Sequence, residues 1–146
     1  DVNLDGNLSA LNTTYAFSSA DFPVFRAADI YLMLAECQVV GGVSVNVNGK
    51  DGVALFNDVH TRLGAGDIAN PTPRNIIDER GRELAWECHR RSDLVRFNLL
   101  TTTDYTWAWK GDAKDGFVTI NPKYNLYPIP SADMISNTNL TQNDGY

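Results

Sequence analysis

The chain has 146 residues, about one ordinary domain and enough to bury a core. With 43% hydrophobic and 21% charged residues, it has the composition of a soluble globular protein and not of a disordered one. The formal net charge of −6 excludes nucleic acid as the default partner, because duplex binding needs a basic excess that displaces counterions from phosphate. No apolar run approaches the ~18–20 residues that span a bilayer. The start, DVNLDGNLSALN, lacks an initiator Met and the basic and apolar parts of a signal peptide, so the chain is expected to be part of something larger or a processed product.

Residues 1–9, DVNLDGNLS, match the first nine positions of a calcium loop. Asp1, Asn3 and Asp5 fall at ligand spacing and Gly6 at the tight turn. Position twelve is Asn12 where a bidentate Glu is expected, which argues against an EF-hand. A lone calcium loop and a plain Asx-rich turn both stay open.

A first helix is predicted after Asp21-Phe22-Pro23, running to about Val40. Ala28, Tyr31, Leu32, Ala35 and Val39 recur at helical steps, Pro23 sits near the first turn, and Gly41-Gly42 ends it. VSVNVNGKDG then alternates and offers turn chemistry, as a small hairpin or extended excursion would. A second helix is predicted from about Gly52 to Leu63, with Asp51 as N-cap, a stripe of Leu55, Phe56, Val59 and Leu63, and Gly64 at the left-handed end.

The third predicted helix starts near Pro73 with Thr72 as N-cap and continues to about Asn98. Ile77, Gly81, Leu84, Cys88 and Val95 trace one of its faces. Cys37 and Cys88 both fall in helical patterns, so two buried free thiols are expected, with a disulfide as the alternative.

The third helix carries ERGRELAWECHRRSDLVRF, the most charged part of the chain. Glu79, Glu83 and Glu87 lie four apart and share one flank, so they point the same way instead of facing each other across a cleft as an acid–base pair must. Within this helix Glu79 would reach Arg82, Glu87 would reach Arg90 and Arg91, and Asp93 would reach Arg96. A helix-packing role is the better reading than catalysis.

Beyond residue 98 the chain is rich in turn formers and aromatics, with short strands expected around Phe117–Ile120. Tyr105, Trp107 and Trp109 cluster beside Lys110, and alternate spacing puts both Trp on one side of an extended strand. Such rings either stack on sugars or anchor the segment on the helices; burial as anchors is favoured, and the cluster is also the first glycan-contact candidate. Tyr127-Pro128-Ile129-Pro130 reads as a rigid strap that holds the C-terminus down, followed by a short helix capped by Ser131.

In order along the chain, FPVFRAADIYLMLAEC, ALFNDVHTRLGAG, IIDERGRELAWECHRRSDLVRF, WAWKG and YPIPSADM with TQNDGY closely resemble the C-terminal part of the SusD/RagB family of Bacteroidetes glycan-uptake lipoproteins. The resemblance covers about Phe22 to Tyr146. It implies a mainly α fold: a tetratricopeptide-like helix pair plus a long third helix, with an irregular C-terminal segment. Residues 1–21 would be a turn-rich lead-in, 22–98 the helical core and 99–146 the irregular loop and strap.

It also implies framework roles for Arg26, Asp29, Tyr31, Glu36, Asn57, Arg62, Glu79, Arg80, Glu83, Leu84, Asp93 and Arg96. The implied function is capture without catalysis of oligosaccharides, starch or α-glucan, for import through a SusC-like TonB-dependent transporter. The implied location is the outer face of the outer membrane, with a lipid anchor on an upstream N-terminal Cys. Other partners would be the upstream part of the same protein, and no nucleic acid. A helical-repeat scaffold that contacts only protein is the alternative. Two departures stand out: Gly is common in the family where Cys88 stands, and aromatics are common where Arg91 and Ser92 stand.

Overall fold

The computed structural model describes residues 23–146. Five α-helices occur among them: α1 (Ala27–Val39), α2 (Gly52–His60), α3 (Pro73–Glu83), α4 (Arg90–Arg96) and α5 (Ser131–Ser136). No strand forms among the described residues, so the expected strands around Phe117–Ile120 are absent there; Ile120 instead donates one backbone hydrogen bond to the Thr101 carbonyl at 2.9 Å.

The helix ends follow local chemistry. Ala54 N–H donates to the Asp51 carboxylate at 2.8 Å, the N-cap of α2. Thr72 and Asn75 exchange side-chain-to-backbone bonds in a capping box, and Pro73 follows where no N–H is needed. Gly64 takes the left-handed conformation after the turn at Thr61–Leu63 that extends α2. Pro23 lies outside α1, whose cap is Arg26 with no side-chain bond. Val47 and Lys50 pair across Asn48-Gly49, both at positive φ, a tight hairpin turn.

The most extensive helix contact joins α1 to α2, and α3 packs on both. Leu32, Ala35, Phe56, Val59 and Ile76 form the core, with Ala28, Tyr31, Val39, Ile68 and Phe97 packed against it. Each fully buried Leu, Ile or Phe contributes ~1.5–3 kcal/mol of hydrophobic stabilisation.

The long third helix is in fact two. Residue 84 leaves the helical region, Trp86 and Cys88 take φ of 68° and 64°, and the chain turns before α4 starts at Arg90. Positive φ costs an L-residue ~1–2 kcal/mol, so no continuous helix can hold these two. Consequently Cys88 is exposed instead of facing the core, and Glu87 meets Arg26 of the segment before α1 instead of Arg90 or Arg91. Cys37 is exposed too, and both thiols are free, which corrects the expectation of burial. Ser131 opens α5 as its first helical residue; Pro130 is the cap and no side chain caps it.

Candidate functional site

The charged stretch is a junction of helices. Arg80 is buried, lies 2.8 Å from Asp29 of α1, and donates from Nε to Asp93 of α4 at 2.8 Å. The contact with Asp29 is ionic and lacks hydrogen-bond alignment. Arg26 donates to the carbonyl of Glu83 at 2.9 Å and to its carboxylate at 2.6 Å; Arg62 reaches the same carboxylate at 2.8 Å. Arg96 bridges Asp93 at 2.7 Å and Glu36 of α1. Asn57 clamps Ile68, accepting from its N–H at 2.9 Å and donating to its carbonyl at 3.1 Å. Arg26, Asp29, Glu36, Arg62, Arg80, Glu83, Asp93 and Arg96 of the framework thus meet one another, mostly between elements.

Glu79 lies 2.8 Å from His60 Nδ1 and 2.5 Å from Arg82. Burial, the largest influence, raises its carboxyl pKa, but the hydrogen bonds and charges of Arg82 and His60 together bring it below the ordinary value. A carboxyl held ionised in this way is the opposite of a general acid poised near neutral pH.

The aromatic cluster at 105–109 divides into a clasp and a platform. The Tyr105 hydroxyl donates to Asp78 of α3 at 2.6 Å and accepts from Arg90 of α4, while the Arg74 guanidinium sits 3.9 Å from its ring centre. Burial first, then the bond to Asp78, raise the Tyr105 pKa against the opposing Arg90. Tyr105 therefore fastens the loop to the helices, and its ring is already occupied.

Trp107 and Trp109 are 38% and 64% exposed, so they are not the buried anchors that the sequence favours. They do not share a side of a strand either, because Trp109 is left-handed and leads into a short 3₁₀ turn at Lys110–Asp112. Beneath them Lys110 is 1% exposed, and its ammonium donates to the carbonyls of Leu99 at 3.3 Å, Tyr105 at 2.6 Å and Thr102. Burial lowers its pKa, and the Asp104 carboxylate opposes that shift. The ammonium also lies 4.8 Å from the Trp107 ring centre. Gly116, at φ 69°, lets the chain pass the Trp107 carbonyl, since a Cβ there would sit 1.8 Å from its oxygen.

A second aromatic surface is not apparent in the sequence. Tyr124, Tyr127 and Tyr146 line an open groove of about 580 Å³ together with Arg91 and apolar Leu100, Ile120 and Leu126. The strap joins it to the C-terminus: Ile129 N–H donates to Gln142 at 2.7 Å, Gln142 donates back to the Ile129 carbonyl at 2.9 Å, and Asn143 donates to the Tyr127 carbonyl at 2.7 Å. Tyr124 and Tyr146 meet edge to face with ring centres 6.5 Å apart. Tyr127 at the head of the Pro-containing strap was the available signal; its convergence with Tyr124, Tyr146 and Arg91 was not.

The calcium-loop residues Asp1, Asn3 and Asp5 lie outside the described residues. Among the described residues no group of three or more His, Cys, Asp or Glu side chains is placed to hold a metal ion, and no helix is long and apolar enough to cross a membrane.

The family model of the SusD family matches residues 2–146. The starch-binding protein SusD of Bacteroides thetaiotaomicron is 38% identical over 131 residues, 89% of this chain and 22% of that protein. A SusD-like protein of Formosa agariphila is 31% identical over 147 residues, 94% of this chain and 26% of that protein. The chain thus spans about a quarter of the length of these relatives. A crystal structure of a SusD-like protein from Bacteroides fragilis superposes with a TM-score of 0.62 at 27% identity, covering 86% of this chain and 26% of that one. A SusD homologue from Bacteroides thetaiotaomicron, at 21% identity and a TM-score of 0.60 over 92% of this chain and 30% of its own, shares the fold. With a family match over nearly all of its residues and the same helical arrangement, the chain belongs to the SusD family.

Proposed function

We propose that the chain is the C-terminal portion of a longer, non-catalytic protein that captures oligosaccharides of the α-glucan type at the cell surface. It would pass them to a SusC-like TonB-dependent transporter, held at the outer membrane by a lipidated Cys upstream. The observation that carries this reading is the 38% identity, over 89% of the chain, to a protein that is starch-binding. The side chains fit capture and not turnover. Glu79, Glu83 and Glu87 are each committed to guanidinium groups, while Trp107 and Trp109 offer exposed indole faces on a loop fixed from below by Lys110. Flat rings held in place stack on sugar faces with little ordering cost.

A second reading, a helical scaffold that contacts only protein, draws on Trp86 and Phe25, which are 98% and 84% exposed beside the Arg26–Glu87 ion pair. Isothermal titration of the intact protein against a panel of neutral and acidic oligosaccharides separates the two. Capture predicts saturable binding of at least one glycan that Trp107→Ala weakens. No binding to any member of the panel would leave the scaffold reading standing.

A further inference from the structure

Among the described residues Arg90 and Arg91 are the arginines without a carboxylate, and Arg90 is taken up by the Ile77 carbonyl and the Tyr105 hydroxyl. Arg26, Arg62, Arg74, Arg80, Arg82 and Arg96 each meet a carboxylate. Among the described residues Arg91 meets none; its Nη2 donates to the Tyr124 carbonyl at 2.6 Å and its guanidinium lies 3.9 Å from the Tyr127 ring centre. These two contacts hold the cation in the wall of the 580 Å³ groove, beside a tyrosine that is itself 68% exposed. A second cation stands close by. Lys123 donates to the Gly145 carbonyl at 3.1 Å, with its ammonium 4.8 Å from the Tyr146 ring centre and 5.3 Å from that of Tyr124. Among the described residues no Asp or Glu side chain lines the groove, and Asp144 lines the neighbouring cleft.

We propose that this groove is a subsite for an acidic sugar unit, a uronate, of the captured glycan. The inference rests on glycan capture alone and not on the α-glucan assignment, because an α-glucan carries no carboxylate; it adds a uronate-bearing glycan to what the protein would take. A guanidinium presents a planar fork of donors that matches a carboxylate, and one anchored by a backbone carbonyl and a ring is already oriented for that match. The ring of a pyranose uronate meets the exposed Tyr127 and Tyr124 faces, and its carboxylate takes the N–H groups of Arg91 that the Tyr124 carbonyl leaves over. A neutral sugar in the same place would cover the cation without supplying a counter-charge, which is unfavourable. Charge complementarity therefore selects the occupant.

The test titrates the intact protein, wild type and Arg91→Gln, with a galacturonate heptamer and with maltoheptaose. Arg91→Gln is expected to weaken the uronate about tenfold, the scale of a charged hydrogen bond, and to leave maltoheptaose unchanged. Raised salt should weaken only the uronate arm. Arg91→Lys, which keeps the charge without the fork, should recover part of the loss. An equal loss for both sugars would mean that Arg91 only holds the strap, and would overturn the proposal. So would equal competition by an oligoglutamate, which would mean that charge alone is read. If maltoheptaose binds and the uronate does not, the subsite is refuted while glycan capture stands; if nothing in the wider panel binds, glycan capture itself fails.

Discussion

Arg80 and Asp93, thirteen residues apart in sequence on separate helices, share a hydrogen bond of 2.8 Å with both side chains almost fully buried. Arg80 also faces buried Asp29 of α1, so one guanidinium bridges two carboxylates and, with Arg96 also on Asp93, ties three helices together. Removing one partner leaves an uncompensated buried charge, which costs ~3–5 kcal/mol. Arg80→Met leaves buried Asp29 without its cation while Asp93 keeps Arg96, and should destabilise the fold by an amount within that range, read from the denaturant midpoint. Breaking the exposed Lys50–Asp58 pair, at 2.6 Å, should move the midpoint far less. Equal losses at the two sites would contradict the account of the junction.

The Glu79 carboxyl has a folded-state pKa below its ordinary 4.5, so the unfolded chain binds the proton more tightly. Its contribution to stability is therefore complete above 4.5 and is lost as pH falls through the lower, folded value. The stability difference between wild type and Glu79→Gln should shrink over the acid interval that begins near the ordinary 4.5 and runs below it, as measured by urea unfolding. A difference that stays constant across that interval would show that the carboxylate is not stabilised by Arg82 and His60.

Cys88 is exposed at φ 64°, a conformation that glycine adopts without penalty. Cys88→Gly should raise stability by ~0.5–1 kcal/mol, because relief of strain exceeds the added chain entropy of glycine and no packing is lost. Cys37→Gly, made inside α1, should lower it by about 1 kcal/mol. Thermal midpoints that move in the same direction would contradict the left-handed assignment at Cys88.

Lys110 supports the Trp107–Trp109 platform through three loop carbonyls. Lys110→Met fills the space but leaves those acceptors without the ammonium, at a cost of ~1–3 kcal/mol for each one that water cannot reach. The expected outcome is weaker glycan binding with a changed tryptophan emission while far-ultraviolet circular dichroism holds. Unchanged emission and affinity would show that the platform does not depend on the lysine.

Helix starts and stops were legible because each rests on neighbouring residues: Asp51 and Ala54, Thr72 and Asn75, the glycine at 64. The break in the third helix was not, since side-chain periodicity runs on through Leu84 and Glu87 while the deciding fact is backbone φ at Trp86 and Cys88. One signal did exist. The resemblance implies glycine where Cys88 stands, and glycine suits the left-handed φ of 64° found there. The framework residues were legible by type, but Glu87 found its partner in Arg26 only because of the turn. The tyrosine groove brings together residues 91, 124–127 and 146, and no local pattern announces such a meeting.

The central claim is capture of an α-glucan without turnover. It is tested most directly by incubating the intact protein with maltoheptaose, measuring the amount bound at equilibrium, and then determining the chain length of all recovered sugar. Saturable binding with every chain recovered at its original length is the predicted result. Shortened chains, or no bound sugar at any concentration, would contradict it.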